Sequence, residues 1–212
     1  MPDKQLAISP AKNPAISRAR RRSAPARAAR GPLTPESWID AATEVLVDHG
    51  IDSVRVDVLA RRLAVTRGSF YHHFRDREEL LRRVLQAWRE VTTEQLTHRL
   101  ETASADAVAQ LRDVISLPFR GRAAARAARI ELAIRAWARR DAMARQVVDE
   151  GDASRIGYIA QIFSALGFAI GEARARAFLL YSYVVAESQM ANQGPPAARR
   201  AFVERLLQTP AA

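Results

Sequence analysis

The sequence predicts an all-α protein, and three observations lead to that fold class. Apolar residues recur at helical spacing through most of the chain after residue 33. Helix start and stop signals, such as Thr34-Pro35 and Gly50, divide the chain into segments of helical length. No segment shows a competing β-strand alternation. With 212 residues, 48% of them hydrophobic, the chain can bury a substantial core.

Composition narrows the function classes before any motif is considered. The chain has no cysteine, which excludes disulfides and thiolate metal sites and favours the cytoplasm. Of its four histidines only His72 and His73 are adjacent, and neighbours on a helix diverge by about 100°, so they are poorly placed to share one metal ion. No run of about 18 apolar residues predicts a membrane span. We therefore expect a cytoplasmic protein that needs no cofactor or metal.

Most of the net charge of +10 lies in the N-terminal segment. Residues 1–33 hold eight Lys/Arg side chains against the single Asp3, a balance of +7. The segment is poor in large apolar residues, so it is predicted to be a disordered basic tail that contacts polyanions. A targeting peptide, or a start site placed too far upstream, is the alternative interpretation.

The remaining chain is predicted to fold as successive helices. The first begins with Thr34 as N-cap and Pro35 at its first position, and ends at Gly50. A short helix over 56–63 and a tight turn over 64–66 lead to a second short helix over 67–74. Asp76 is expected to cap a longer fourth helix that runs to about Glu101. Further helices are expected at about 105–117, 123–139, 142–166, 172–193 and 195–208.

The two short helices and their three-residue turn match a helix-turn-helix, braced by the first helix. Phe70 and Phe74, four residues apart, are expected to face the core, with the Thr66 hydroxyl capping the second short helix. Gly68 costs about 1 kcal/mol of helix propensity relative to alanine, and close approach to DNA is a reason to tolerate that cost. The side chains left toward solvent are Arg67, Gly68, Ser69, Tyr71 and His72.

The run V65-T-R-G-S-F-Y-H-H-F74, followed by R77-E-E-L-L, resembles the DNA-binding domain of the TetR family of transcriptional regulators. The upstream run G50-I-D-S-V-R-V-D-V-L-A60 also fits, and the resemblance covers residues 34 to about 81. Two positions depart from the family pattern. Ala64 replaces the usual turn glycine, so the turn must avoid a left-handed conformation or bear strain. Arg55 stands where Ser or Thr often caps the second helix.

The resemblance implies a DNA-contacting face on the second short helix. Thr66 and Tyr71 are expected on phosphates, and Arg67, Ser69 and His72 near bases or backbone, with Gly68 permitting close approach. Arg77 and Arg55 are expected on the DNA backbone. The alternatives are packing for Tyr71 and solvated charge for both arginines, while His73 is expected to pack. Residues 55–75 carry five arginines and one acid, Asp57, a local +4 suited to phosphate.

For the C-terminal half, the resemblance implies small-molecule binding and dimerisation. Segments 178–190 and 202–207 are the candidates for a four-helix interface, through Phe178, Tyr181, Val184, Val185, Phe202 and Leu206. The candidate pocket residues are Trp137, Met143, Tyr158, Phe163 and Tyr181, with Glu131 and Glu187 as polar anchors. Ordinary core packing or solvated charge is the alternative for each pocket residue.

These expectations combine into one hypothesis with three segments. Residues 1–33 form the tail, 34–81 the DNA-binding domain, and 82–212 the effector-binding and dimerisation domain. The expected function is a homodimeric regulator, most often a repressor, released from a palindromic operator by a small-molecule effector. An architectural DNA-binding protein without an effector is the alternative. The sequence shows no catalytic constellation, so we predict that the protein is not an enzyme.

Overall fold

The computed structural model describes residues 33–94, 97–98, 102, 106–117, 121–190 and 196–208. Regular secondary structure within these ranges is helical, with no β-strand among them, and the predicted all-α fold class is confirmed. The predicted tail lies outside the described residues except for its last residue, Leu33. Among the described helices, none is long and apolar enough to span a bilayer.

Nine α-helices have both ends inside the described ranges. A 3₁₀ turn (Ile51–Ser53) lies between the first and second helices, and the fourth helix continues into a π-helical segment (Glu90–Glu94). The helices are α1 (Pro35–His49), α2 (Val56–Leu63), α3 (Arg67–Tyr71), α4 (Arg77–Arg89), α5 (Ala107–Ser116), α6 (Gly121–Ala138), α7 (Ala142–Ala165), α8 (Ile170–Gln189) and α9 (Pro196–Leu207).

Three helices, α4, α5 and α7, begin at an aspartate whose side chain caps the helix. The carboxylate of Asp76 accepts from the Glu79 amide at 2.8 Å, and that of Asp141 accepts from the Ala144 amide at 2.9 Å. Such caps satisfy backbone donors that have no partner within the helix. At the C-terminal end of α1, Gly50 adopts φ +79°, a backbone conformation that favours glycine.

Two predicted helices differ from expectation. The second short helix was expected to reach residue 74, but α3 ends at Tyr71 and residues 72–76 turn the chain into α4. The fourth helix was expected to continue to about residue 101; α4 ends at Arg89, a π-helical segment follows, and the described residues 97–98 and 102 are again α-helical. In the π-helical segment the Thr92 hydroxyl donates to the Trp88 carbonyl at 2.7 Å.

The apolar side chains form two separate cores. The first core joins α1–α4 to the C-terminal half of α6 and the start of α7, and includes Trp38, Leu59, Phe70, Leu85, Trp88, Ile134, Trp137 and Val148. The second core joins α5, the end of α7, α8 and α9, and includes Leu111, Ile159, Phe163, Ala177, Leu180 and Leu206. Helix α4 runs unbroken through the expected domain boundary at 81/82, so that boundary stays a prediction.

Candidate nucleic-acid interface

Helix α3 is anchored to the first core by its inner face, as predicted. Phe70 and Phe74 are both buried, and their rings stack with centroids 5.3 Å apart. The Trp38 ring from α1 meets Phe70 edge-on at the same centroid distance. Leu59 of α2 is fully buried beneath them. This packing fixes which side of the short helix faces outward.

The turn between α2 and α3 contains a left-handed alanine. Ala64 has φ 58° and ψ 43°, and the Val65 amide donates to the Ala60 carbonyl at 2.9 Å to close the turn. A left-handed residue with a Cβ costs roughly 1–2 kcal/mol. The sequence left open whether the turn avoids the left-handed conformation or bears strain. The structure shows that it bears strain.

Replacing Ala64 with glycine is therefore expected to stabilise the protein. Relief of the left-handed strain exceeds the extra entropy of glycine in the unfolded chain, for a net gain of about 0.5–1 kcal/mol. Urea unfolding followed by circular dichroism measures the change. Ala125→Gly, in exposed helical backbone of α6, is the matched control and should destabilise by about 1 kcal/mol. A loss of stability in both variants would contradict the strain at Ala64.

The outer face of α3 presents most of the predicted DNA-contacting residues. Thr66, Arg67, Gly68 and His72 are exposed, and 55% of the Tyr71 surface is accessible. Ser69 departs from the expected arrangement because it is half-buried rather than turned to solvent. Arg67, Tyr71 and His72 are therefore the large side chains exposed on this face.

Thr66 occupies the N-cap position of α3, but the predicted capping bond of its hydroxyl is wrong. Within the described residues that side chain makes no cap hydrogen bond. The Ser69 amide instead donates to the Thr66 backbone carbonyl at 3.1 Å. Thr66 is exposed, as is Arg67, which is compatible with its predicted role at a phosphate.

Arg77 has a structural role that the sequence did not indicate. Its Nε donates to the Val54 carbonyl at 2.6 Å and its Nη2 to the Ile51 carbonyl at 2.9 Å. The guanidinium thereby ties the start of α4 to the 3₁₀ turn after α1. A phosphate contact by Arg77 stays a prediction, and it would have to coexist with these two bonds.

Arg55 and His73 lie at the edges of this face. Arg55 is exposed, and its Nε lies 3.2 Å from the Asp57 carboxylate, which also pairs with Arg61 at 3.5 Å. Exposed pairs of this kind contribute little stability and exchange readily with solvent. His73 is half-buried with its ring centroid 6.5 Å from that of Phe74, which agrees with the packing expected of it.

In the C-terminal half, two of the predicted pocket residues meet in a buried ionic cluster. Glu131, only 8% exposed, accepts hydrogen bonds from Trp88 Nε1 at 3.1 Å and from Arg135 Nε at 2.8 Å. The Tyr181 hydroxyl donates to Asp152 Oδ1 at 2.5 Å. We call this cluster the polar seam and define it by its five members, Glu131, Arg135, Asp152, Arg155 and Tyr181.

The seam is electrically balanced. Arg135 forms a two-pronged pair with Asp152, at 2.9 and 2.6 Å. Burial by itself would raise the pKa of Asp152, but hydrogen bonds from Arg135 and Tyr181 outweigh burial and lower that pKa. Burial raises the pKa of Tyr181 to about 12, so the phenol stays neutral at physiological pH. Two guanidinium groups therefore face two carboxylates.

The other predicted pocket residues do not gather at the seam. Trp137 and Met143 belong to or pack on the first core, whereas Phe163 and Tyr158 belong to or pack on the second. Glu187 is half-buried on α8. Trp137 also lines an open cleft of about 280 Å³ between α1 and α6. The seven residues thus do not line one cavity within the described structure, since they divide between two cores.

The interface candidates divide in a similar way. Phe178 is 58% exposed on α8, as an interface residue should be in an isolated subunit, and its neighbour Leu179 is 57% exposed. Tyr181 and Leu206 are instead buried in the subunit's own second core, so their place at a dimer interface stays a prediction. Val184, Val185 and Phe202 are half-buried against that core. Sequence reasoning missed Arg135, Asp152 and Arg155, which belong to the seam.

Comparison with known proteins locates the sequence relationship at the N-terminal helices. Residues 39–84 match the family model described as bacterial regulatory proteins, tetR family. The HTH-type transcriptional regulator SrpR of Pseudomonas putida is 43% identical over 58 residues, which are 27% of this chain and 27% of SrpR. The chain therefore matches about a quarter of that relative's length.

Solved structures extend the likeness of fold to most of the chain. Reduced NemR of E. coli superimposes with a TM-score of 0.68 at 18% identity, covering 85% of this chain and all of NemR. The multidrug binding protein EbrR, solved with malachite green, superimposes with a TM-score of 0.62 at 19% identity, covering 84% of this chain and 100% of EbrR. At such identities the likeness establishes the fold alone.

Proposed function

The chain carries the N-terminal domain of the TetR family of bacterial regulators, and from that premise we propose that it is a sequence-specific DNA-binding transcriptional regulator. The observation that carries the proposal is the two-sided construction of α3. Its inner face is anchored through Phe70, while Arg67 and Tyr71 stand outside on an exposed surface. A rigidly held helix of this kind fits the major groove, where an arginine reads guanine edges.

The distribution of charge supports contact with DNA on this side. The α2–α3 region carries the local excess of +4 between residues 55 and 75. Three of the five carboxylates of α1 and the 3₁₀ turn pair with arginines of α6 and of the turn that follows it. The pairs are Glu44–Arg126 at 2.6 Å, Asp48–Arg129 at 3.0 Å and Asp52–Arg140 at 3.5 Å. Negative side chains of α1 are thereby drawn toward α6, which limits their repulsion of phosphates.

The finer proposal is a homodimeric repressor in the cytoplasm that leaves a palindromic operator when a small molecule binds its C-terminal helices. One helix-turn-helix makes few base contacts, so high specificity requires two half-sites at fixed spacing. The exposed Phe178 and Leu179 supply an apolar surface for a second copy. A protein of similar fold, EbrR, binds malachite green, which is a precedent for an effector. The effector-independent architectural protein is the alternative.

Selection of binding sites from random duplex DNA by the purified protein tests this proposal. We expect enrichment of a two-fold symmetric sequence whose half-sites lie about 34 Å apart, one helical turn. A variant carrying Arg67→Ala and Tyr71→Ala should enrich nothing, which controls for non-specific retention. Enrichment of bent or AT-rich DNA without symmetric half-sites would favour the architectural protein, and no enrichment at all would contradict both.

Deletion of residues 1–33 is expected to weaken binding to specific and non-specific DNA alike. The eight basic side chains of this segment add phosphate contacts without base-reading geometry, so the plot of log K against log salt should become flatter. Binding titrations at several salt concentrations measure the slope. A full-length variant with those eight residues changed to glutamine separates charge from chain length. If neither change alters the slope, the segment does not contact DNA.

A further inference from the structure

The polar seam lies between the two hydrophobic cores. Along α7, Val148 belongs to the first core and Ile159 to the second, with Asp152 and Arg155 between them. Along α6, Glu131 and Arg135 belong to the seam, while the nearby Ile134 is buried in the first core. Between the two cores, α6 and α7 are therefore joined by hydrogen bonds and ion pairs as well as by apolar packing.

Arg155 is the member of the seam that reaches the end of α4. Its Nη2 donates to Thr92 Oγ1 at 2.7 Å and its Nε to Thr93 Oγ1 at 3.1 Å, both in the π-helical segment. The guanidinium also lies over the Trp88 ring, 5.1 Å from the centroid. This cation–π contact and the two hydroxyl bonds attach α7 to the last turn of α4 and its continuation.

The same guanidinium contacts two other helices. Its Nη1 donates to Glu131 Oε1 of α6 at 3.2 Å and to the Tyr181 hydroxyl of α8 at 2.9 Å. Only 12% of the Arg155 side chain is exposed. One side chain thus contacts four chain segments, and the planar fork of arginine allows this because it presents five donors in fixed directions.

Contacts of this kind differ physically from the apolar packing on either side. Apolar side chains can adjust by small rotations, whereas a buried charge that loses a partner is strongly destabilised. The network therefore favours discrete arrangements over gradual displacement. The π-helical geometry at Thr92 and Thr93 adds to this, because π segments are rare and depend on local support.

We propose that the polar seam couples the two cores, and that Arg155 is the positioning residue through which the second core fixes the end of α4. The regulatory meaning of this coupling rests on the proposed function, in which the first core presents α3 to DNA and the second core belongs to the effector-binding half. The seam transmits a change in either core because no member can move without breaking bonds to another helix.

The coupling is tested first without DNA, by urea unfolding of the full chain. All three tryptophans, Trp38, Trp88 and Trp137, lie in the first core, so their fluorescence reports that core, while far-UV circular dichroism reports all helices. In the wild type the two transitions should coincide. In Arg155→Met they should separate. Arg145→Met, which removes an exposed pair with Asp149 on the same helix, should behave as the wild type.

Hydrogen exchange with and without the selected operator duplex tests transmission. Operator should slow exchange in α5 and α8 of the wild type and of Arg145→Met. In Arg155→Met that distant protection should disappear, and amides 88–94 should exchange about tenfold faster or more. Tyr181→Phe, which removes only a hydroxyl, should show smaller changes in hydrogen exchange in the same direction. This variant replaces Arg155→Met in the test if Arg155→Met does not fold.

The outcomes separate the two proposals. Coincident unfolding transitions in Arg155→Met, or in Tyr181→Phe if the former does not fold, would overturn the coupling, as would operator protection that still reaches α8 in the variant or never reaches it in the wild type. If selection yields no operator, the proposed function fails, and the urea experiment still decides whether the seam joins the cores.

Discussion

Arg67→Ala combined with Tyr71→Ala is expected to abolish sequence-specific DNA binding while leaving the helical fold intact. Both side chains are exposed on α3. Loss of one good base contact costs roughly 1–3 kcal/mol, and a dimer loses it in both half-sites. Affinity for the selected operator should therefore fall by at least about 100-fold, approaching the affinity for unrelated DNA. Titration with operator and scrambled duplexes measures the ratio.

The structural cost of this double change should be small. Tyr71 contributes an edge-on contact with the Phe70 ring at 5.2 Å, worth about 0.5–1.5 kcal/mol. Circular dichroism and urea unfolding establish that the variant is folded at the temperature of the titration. Arg145→Ala, another exposed arginine far along the chain on α7, is the control for lost charge. Tight, sequence-specific binding by the double variant would contradict the assignment of α3 as the recognition helix.

Phe178→Glu combined with Leu179→Glu is expected to produce folded monomers that no longer bind a full operator tightly. The two side chains are more than half exposed in the subunit, so the substitutions leave its own core unchanged. At the centre of a dimer interface, buried carboxylates without partners cost several kcal/mol each. Light scattering measures the mass, circular dichroism the helicity, and a titration the affinity for operator.

The choice of these positions depends on the structure. Leu206→Glu would place a charge in the second core, because Leu206 is buried there, and an unfolded variant would be uninformative about dimerisation. Leu132→Glu, at an exposed position on α6, controls for added charge and should remain dimeric. A wild-type protein that is monomeric at micromolar concentration would sink the proposal. A Phe178→Glu/Leu179→Glu variant that stays dimeric would show that this face of α8 is not the dimer interface.

The division of the molecule into two cores changes how its halves are understood. The sequence suggested a boundary at 81/82, within α4, yet the first core takes in Ile134, Trp137 and Val148 from much later in the chain. Helices α1 and α4, which flank the helix-turn-helix, thus pack against α6 and α7. On the proposed function, an effector in the second core would act across the polar seam.

The sequence by itself determined the local features of the fold. Asp76 predicts a helix start because its carboxylate accepts a bond from an amide three residues away. Phe70 and Phe74 face inward because they lie about one helical turn apart. These interactions involve residues only a few positions apart, so the sequence predicts them. The outward face of α3, which carries the proposed function, follows from the same spacing.

Only the tertiary structure decided which distant residues meet. Trp137 and Phe163 looked alike as apolar pocket candidates, but they are buried in different cores. Arg155 carried no signal in the sequence, yet it joins Glu131 and Tyr181, which lie 24 and 26 residues away in the chain. Helical periodicity specifies which face of a helix is apolar, but it does not specify the neighbour that covers that face. Buried ion pairs between helices therefore become visible only once the helices are packed, because their stability depends on partners that the local sequence does not name.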